Sequence, residues 1–228
     1  VRETWRNLRF TAGNRTVFHS VLGISWFWFY GALFLAQFPA YARDTLGGTE
    51  SVITLLLAVF SVGIGLGSLA CERLSGRKIE IGLVPFGSIG MSFAALDLFF
   101  ASPAAPLGQG LGAAQFVQQP GSIRILLDLV LIGAFGGLFI VPLYALIQTR
   151  TERAHQSRVI AGNNILNAAF VVAAALLAIG LLGAGVSVAQ LFLVTPALNA
   201  AVAVYIYTLV PEFLMRFIVW LLIHSVYR

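Results

Sequence analysis

Charge is what this sequence lacks most. Only 10% of the 228 residues are charged and 59% are hydrophobic, whereas a soluble domain carries about 25% charged residues. No Asp, Glu, Lys or Arg occurs in four stretches, which lie between Arg15 and Arg43, Glu50 and Glu72, Asp128 and Arg150, and Arg158 and Glu212. The first three are about as long as the ~20 apolar residues of a membrane-spanning helix, and the last is long enough for two. The sequence therefore predicts a membrane protein.

Other shortages exclude further classes of protein. The single cysteine, Cys71, excludes an intrachain disulfide and a cysteine-based metal site. The net charge of +5 comes from residues at the ends of apolar runs, with no basic stripe between aromatic residues, so we expect no nucleic-acid partner. The sequence has no glycine-rich phosphate loop with lysine and threonine. We predict no catalytic set, no cofactor and no metal in this segment.

The charge-free stretches predict an all-α polytopic bundle of six transmembrane helices. Only the boundary between the last two spans lacks a charge, and Gly183 and Gly185 mark the natural turn there, because glycine suits tight turns and is poor inside helices. The predicted spans cover residues 17–41, 51–71, 81–101, 123–148, 159–182 and 186–210.

The basic residues predict the orientation of the spans. Six crossings place all but two of the 14 Lys and Arg residues on one side, the exceptions being Arg43 and Arg124. Because cytoplasmic loops are rich in Lys and Arg, both termini are predicted to be cytoplasmic. We expect a cytoplasmic amphipathic lead-in at 1–16, a transmembrane region at 17–210 and an interfacial helix at 211–228. The chain begins with valine and stops after this amphipathic stretch, so we expect a piece of a longer polypeptide.

A loop between spans two and three carries mixed charge. It places one acid and three bases in a tight turn, and it follows two small residues at the end of span two. Such a cluster can latch one conformation of a moving bundle by pairing with neighbouring helix ends, although plain positive-inside anchoring explains the bases as well. The latch candidates are Gly67, Ser68, Glu72, Arg73, Gly76, Arg77 and Lys78.

This loop resembles the motif that joins the second and third helices of each half in the major facilitator superfamily, with Ser68 and Ser75 where glycines are usual. Residues 23–29, 60–68, 136–148 and 161–164 are similar to lysophospholipid transporters of that superfamily. They resemble more closely the transporter region of bacterial proteins that fuse it to a phospholipid acyltransferase and an acyl-carrier-protein ligase. The first span has none of the charged residues that we expect in the substrate cavity of such transporters.

The resemblance implies the C-terminal six-helix half of a twelve-helix transporter in the bacterial inner membrane. Its implied partners are membrane lipid, a lysophospholipid substrate, an N-terminal transporter half and a fused or separate acyltransferase. No histidine is followed five positions later by an aspartate, the spacing typical of glycerolipid acyltransferases, so we expect no such chemistry in this segment. Transport of another solute, and a membrane anchor for an acyltransferase, remain alternatives.

Three charged residues are predicted to lie near the outward-facing surface of the bilayer. Asp97 is near the outer end of span three, and Arg124 and Asp128 are one helical turn apart in span four. Charges are costly in hydrocarbon, so residues at such positions are often functional. An outer gate and an ion pair within one helix are both open interpretations.

Polar and aromatic residues inside the spans are candidates for a substrate cavity. Gln37 precedes Pro39, whose kink frees backbone groups. Asn163 and Asn167 share a helix face and serve either packing or substrate contact. Trp26 and Trp28 either grip an acyl chain or belong to a lipid-facing surface. Two Gly-x-x-x-Gly motifs, at 63–67 and 133–137, predict close helix packing.

Overall fold

Six long helices with alternating direction make up the part of the chain that the structure describes. The computed structural model describes residues 13–76 and 79–209, together with Met215, Ile218, Val219 and Leu222. The helices are α1 (Arg15–Ala40), α2 (Glu50–Leu74), α3 (Leu83–Ala101), α4 (Ser122–Arg150), α5 (Gln156–Gly183) and α6 (Val188–Leu209).

These helices match the six predicted spans, and the all-α polytopic fold class is confirmed. Five of them are long and apolar enough to cross a membrane, and α6 contains a shorter apolar stretch, Val188–Val204. The described residues include no β-strand, only an isolated bridge between Gly48 and Leu111. The lead-in before Gly13 and most of the predicted interfacial helix at 211–228 lie outside the described residues.

The ends of the helices follow from local sequence. The side chain of Asn14 caps α1 by accepting a hydrogen bond from the Val17 amide at 3.2 Å. After α5, Gly185 has a φ of 88°, and the Val186 amide donates back to the Leu181 carbonyl at 3.0 Å. This is a Schellman turn, which needs a left-handed residue and so favours glycine. The predicted break between spans five and six is confirmed.

Pro39 lies close to the point where α1 changes its winding. Proline lacks the amide hydrogen that an α-helix uses and disturbs the turn before it. The α-helix ends at Ala40 and continues as a single π-helical turn, Tyr41–Thr45. Gly47, with a φ of 71°, then reverses the chain toward α2. This widened turn lies after the proline, whereas a proline disturbs the turn before it, so the backbone groups freed beside Gln37 stay a prediction.

Helix α4 is the centre of the bundle and packs against α1, α2 and α3. Its contact with α2 has glycines on both sides. A β-carbon added at Gly67 would lie 2.6 Å from the Ala134 carbonyl carbon, and one added at Gly137 would lie 2.6 Å from the Ser68 amide nitrogen. Gly63 and Gly133 meet backbone atoms of the opposite helix in the same way. The predicted close packing at both Gly-x-x-x-Gly motifs is confirmed, and the two motifs pack against each other.

Aromatic rings fill the core between α1 and α6. Phe34 stacks on Phe192 with ring centroids 4.7 Å apart, and Tyr41 meets the same ring edge-on at 5.0 Å. Tyr30 stacks on Phe34 at 5.2 Å. Such aromatic pairs stabilise the fold beyond the effect of burying their apolar area. They fix α6 against the second half of α1, although the two helices are distant in sequence.

The connection at 102–121 folds over one end of the bundle, which we name the loop end. Its Leu111 pairs with the link between α1 and α2, because the Thr49 amide donates to the Leu111 carbonyl at 2.9 Å and the Leu111 amide donates to the Gly47 carbonyl at 2.9 Å. A one-turn helix, Ala113–Val117, buries Phe116 completely. This connection is therefore an ordered cap on the loop end.

Helices α2 and α5 are the least covered. Only 11% of the apolar stretch of α5 and 28% of that of α2 are buried, against 61% for α4. Large apolar side chains lie exposed along α5, namely Ile160, Val172, Leu176 and Ile179. Exposed apolar area of this extent indicates a lipid or protein neighbour rather than water.

Candidate functional site: a polar seam across the middle of the bundle

The middle of α1 hydrogen-bonds to α5. Ser25 Oγ lies 2.9 Å from the side-chain amide of Asn167. With the amide orientation that satisfies both of its ends, Asn167 also accepts from Trp28 Nε1 at 3.2 Å and from Asn163 Nδ2 at 3.0 Å. Asn163 and Asn167 are both buried, as their shared helix face predicts. No described residue donates a hydrogen bond to Asn163 Oδ1, which is buried.

The opposite side of α1 is bound to α6. Trp26 Nε1 donates to Asn199 Oδ1 at 2.7 Å. The Asn199 amide nitrogen donates to the Ser88 carbonyl at 2.8 Å and lies 2.8 Å from Ser92 Oγ, both on α3. One buried amide therefore ties together α1, α3 and α6. We name the whole set the polar seam: Ser25, Trp26, Trp28, Asn163, Asn167, Asn199, Ser88 and Ser92.

The seam gives the two tryptophans a role that the sequence did not predict. Their indole nitrogens hold α5 and α6 to α1, while their rings differ in exposure. Trp28 is 44% exposed, whereas Phe29 is buried and stacks with Trp26 at 4.9 Å. Trp28 is exposed, as a lipid-facing residue would be, whereas Trp26 is half-buried, because the helical period turns nearby residues toward different neighbours. Whether either ring contacts an acyl chain stays a prediction.

A salt bridge joins α3 and α4 at the loop end. Arg124 Nε donates to Asp97 Oδ2 at 3.1 Å, and Arg124 Nη2 donates to Asp97 Oδ1, which makes the contact bidentate. Of the two open interpretations, the ion pair of Arg124 with Asp128 inside α4 is wrong, since Arg124 pairs with Asp97 of the neighbouring helix. Asp128 is only 4% exposed and lies against Asp97. The three outer-gate candidates thus form one cluster.

Gln37 is buried near the loop end of α1, and its place in a substrate cavity stays a prediction. Tyr41 is completely buried, with its hydroxyl 2.7 Å from Ser102 Oγ. Beside Ser102, a cavity of about 320 Å³ opens among the loop residues, with Asp44 and Ser187 in its lining.

An apolar groove of about 460 Å³ lies between α3 and α6. Ser88 and Ser92 line it beside apolar side chains such as Phe93 and Leu193. Both serines are engaged by the Asn199 amide, so the groove presents mainly hydrocarbon. Its chemistry suits an apolar chain.

The latch candidates lie at the opposite end of the bundle. Gly67 and Ser68 are inside α2, where Gly67 contacts α4 and Ser68 Oγ donates to the Ile64 carbonyl at 2.8 Å. Glu72 and Arg73 are exposed in the last turn. Gly76 follows with a φ of 58°, a conformation that favours glycine. Arg77 and Lys78 lie outside the described residues.

Comparison with known proteins gives one consistent result. The chain is 29% identical over 163 residues to the lysophospholipid transporter LplT of Cronobacter sakazakii, an alignment that covers 67% of this chain and 36% of the relative. It is 31% identical over 154 residues to the same transporter of Klebsiella pneumoniae, with coverage of 67% and 32%. The chain is similar to lysophospholipid transporters.

The alignments also show what share of each relative the chain matches. The chain spans about a third of the length of the curated relatives it matches. No protein-family model matches the chain, and no solved structure does. The relatives are named as transporters, which agrees with a segment that is not an enzyme.

Asn199, Ser88, Ser92 and Ser25 are the seam residues that sequence reasoning missed. Asn199 stands alone in an apolar run, and isolated small polar residues are common in membrane helices. An amide in hydrocarbon needs hydrogen-bond partners, and this rule applies to Asn199 as much as to Asn163. It could have identified Asn199 from the sequence.

Proposed function

We propose that this chain is a six-helix half of a facilitator-type transporter that moves lysophospholipid between the leaflets of the bacterial inner membrane for reacylation. The observation that carries the proposal is the similarity to lysophospholipid transporters over two thirds of the chain. The six alternating helices and the apolar groove between α3 and α6 support it.

The uncovered faces of α2 and α5 support a partner half. Both helices present apolar side chains that no described residue covers. In the proposal, an N-terminal six-helix half packs there and encloses the substrate path with Trp26, Trp28, Gln37, Asn163 and Asn167. The unpaired Asn163 Oδ1 is then an acceptor available to the path. A fused or separate acyltransferase would use the lipid delivered to the inner leaflet.

Alternating access needs two ends that open in turn. We assign the loop end to the outside, with the Asp97, Arg124 and Asp128 cluster as its gate. The opposite end, with the latch candidates from Gly67 to Lys78, faces the cytoplasm together with both termini. Thiol labelling in intact cells tests this orientation, since cysteines placed at Gln109 and at Gly76 should react from opposite sides.

Transport itself is tested with the full-length polypeptide in liposomes. Fluorescent lysophospholipid placed in the outer leaflet should cross faster than in protein-free vesicles. Asn163→Leu should slow the crossing, because it removes the acceptor and the amide contact to Asn167. Asn164→Leu is the matched control, since Asn164 is exposed.

Three results would contradict the proposal in different ways. No crossing above protein-free vesicles removes the lysophospholipid assignment. Transport of a sugar or drug without lysophospholipid crossing assigns another facilitator substrate. Full lysophospholipid uptake in cells after replacement of this region by an unrelated anchor shows that it serves only to hold the acyltransferase at the membrane.

A further inference from the structure

The cluster at the loop end holds two carboxyl groups and one guanidinium. Arg124 uses its bidentate face on Asp97. Asp128 is buried, and no described residue donates a hydrogen bond to its Oδ2. Its carboxyl is close enough to that of Asp97 for the two groups to interact electrostatically.

Two ionised carboxylates that lie close together repel each other, and a hydrogen bond between them needs one proton. With both ionised, the cluster has one surplus negative charge, and the buried Asp128 carboxylate lies near a second carboxylate, which is unfavourable. One proton on Asp128 makes the cluster neutral and gives the contact its donor. The same arrangement of two carboxyl groups sharing one proton is used by aspartic proteases.

The other charged groups at this end do not offer Asp128 a cation. On the side of α2, Glu50 is paired with Arg43 at 2.9 Å. The turn after α1 brings the Tyr41 phenol into electrostatic interaction with Asp128, but a phenol carries no positive charge. Asp44, also in that turn, is a further acid and is exposed.

A metal ion is the rival occupant. The described residues contain no group of three or more His, Cys, Asp or Glu side chains placed to hold a metal. Cations such as Ca²⁺ take six to eight oxygen ligands, and two carboxyl groups, one of them engaged by arginine, fall short of this. A proton needs only the one acceptor that Asp97 supplies.

We propose that Asp128 and Asp97 form a proton-binding site, in which a proton taken from water binds the Asp128 carboxylate and is shared with Asp97. Loss of that proton restores like charges between α3 and α4 and loosens their contact at the loop end. The link to gating rests on the proposed transport function, whereas the proton site itself does not.

Infrared spectroscopy of the full-length protein in lipid tests the site without any transport assay. The carbonyl stretch of a protonated carboxylic acid should be present near neutral pH and should shift in heavy water. Asp128→Asn should abolish this band. Asp44→Asn is the matched control and should retain it. Asp97→Asn should move the band, because the proton then donates to an amide oxygen.

Absence of the band in the unaltered protein, or its persistence in Asp128→Asn, would overturn the proposal. If Asp128→Asn does not fold, a band that keeps its position in Asp97→Asn would overturn the proposal instead. A second experiment measures lipid crossing in liposomes at fixed pH, with either sodium or choline as the cation. Crossing that depends on sodium, without the infrared band, would assign a metal cation. A band without any lipid crossing would leave the proton site standing and remove the transport function.

Discussion

Gly67→Ala tests the glycine contact between α2 and α4. A β-carbon there meets the Ala134 carbonyl carbon at 2.6 Å and its Cα at 2.7 Å, whereas carbon atoms pack best at about 3.5–4.0 Å. These are backbone atoms, so no side chain can rotate away and the helices must separate. Overpacking of this kind costs about 1–3 kcal/mol. The separation also weakens the neighbouring contacts of Gly63 and Gly137.

Gly65→Ala is the matched control for this experiment. It lies on the same helix with nothing within 4 Å of an added β-carbon, and alanine is the better helix former by about 0.8–1 kcal/mol. Thermal unfolding of the purified full-length protein should show a lower midpoint for Gly67→Ala and an unchanged or higher one for Gly65→Ala. Equal midpoints for the two variants would refute the tight α2–α4 contact.

Further variants test other parts of the structure by the same unfolding measurement. Asn199→Leu leaves the Trp26 indole without its acceptor and should cost about 1–3 kcal/mol, whereas Asn164→Leu, at an exposed position, should stay within about 0.5 kcal/mol of the unaltered protein. Arg43→Gln breaks an exposed ion pair and should cost less than about 1 kcal/mol, so a larger loss would contradict its surface position. Gly76→Ala forces alanine into a left-handed conformation and should cost about 1–2 kcal/mol; no loss would show that this turn has another geometry.

The sequence predicted the helices because hydrocarbon leaves little choice. A span needs about 20 apolar residues and an internally bonded backbone, so the charges at 43, 50, 72, 150 and 158 mark helix ends within a few residues. The turn at Gly185 was predictable because glycine tolerates the left-handed conformation of a tight turn, which Gly185 adopts. The glycine motifs predicted close packing but not which helices pack together.

The contacts between helices were predicted less well. Arg124 had Asp128 one turn away in its own helix, yet the bundle places Asp97 of α3 within bidentate reach. The choice depends on how α3 and α4 pack, which local sequence does not encode. Asn199 shows the same limit, because its partners Trp26 and Ser88 are more than a hundred residues away in the chain. The ordered cap at 102–121 also depends on such distant contacts.

The rate at which the full-length protein moves labelled lysophospholipid across a vesicle membrane, relative to the diacyl phospholipid with the same headgroup, is the deciding measurement. We expect the single-chain lipid to cross clearly faster than in empty vesicles and the diacyl lipid to stay at the empty-vesicle rate. Equal rates for both lipids with and without protein would contradict a lysophospholipid transporter.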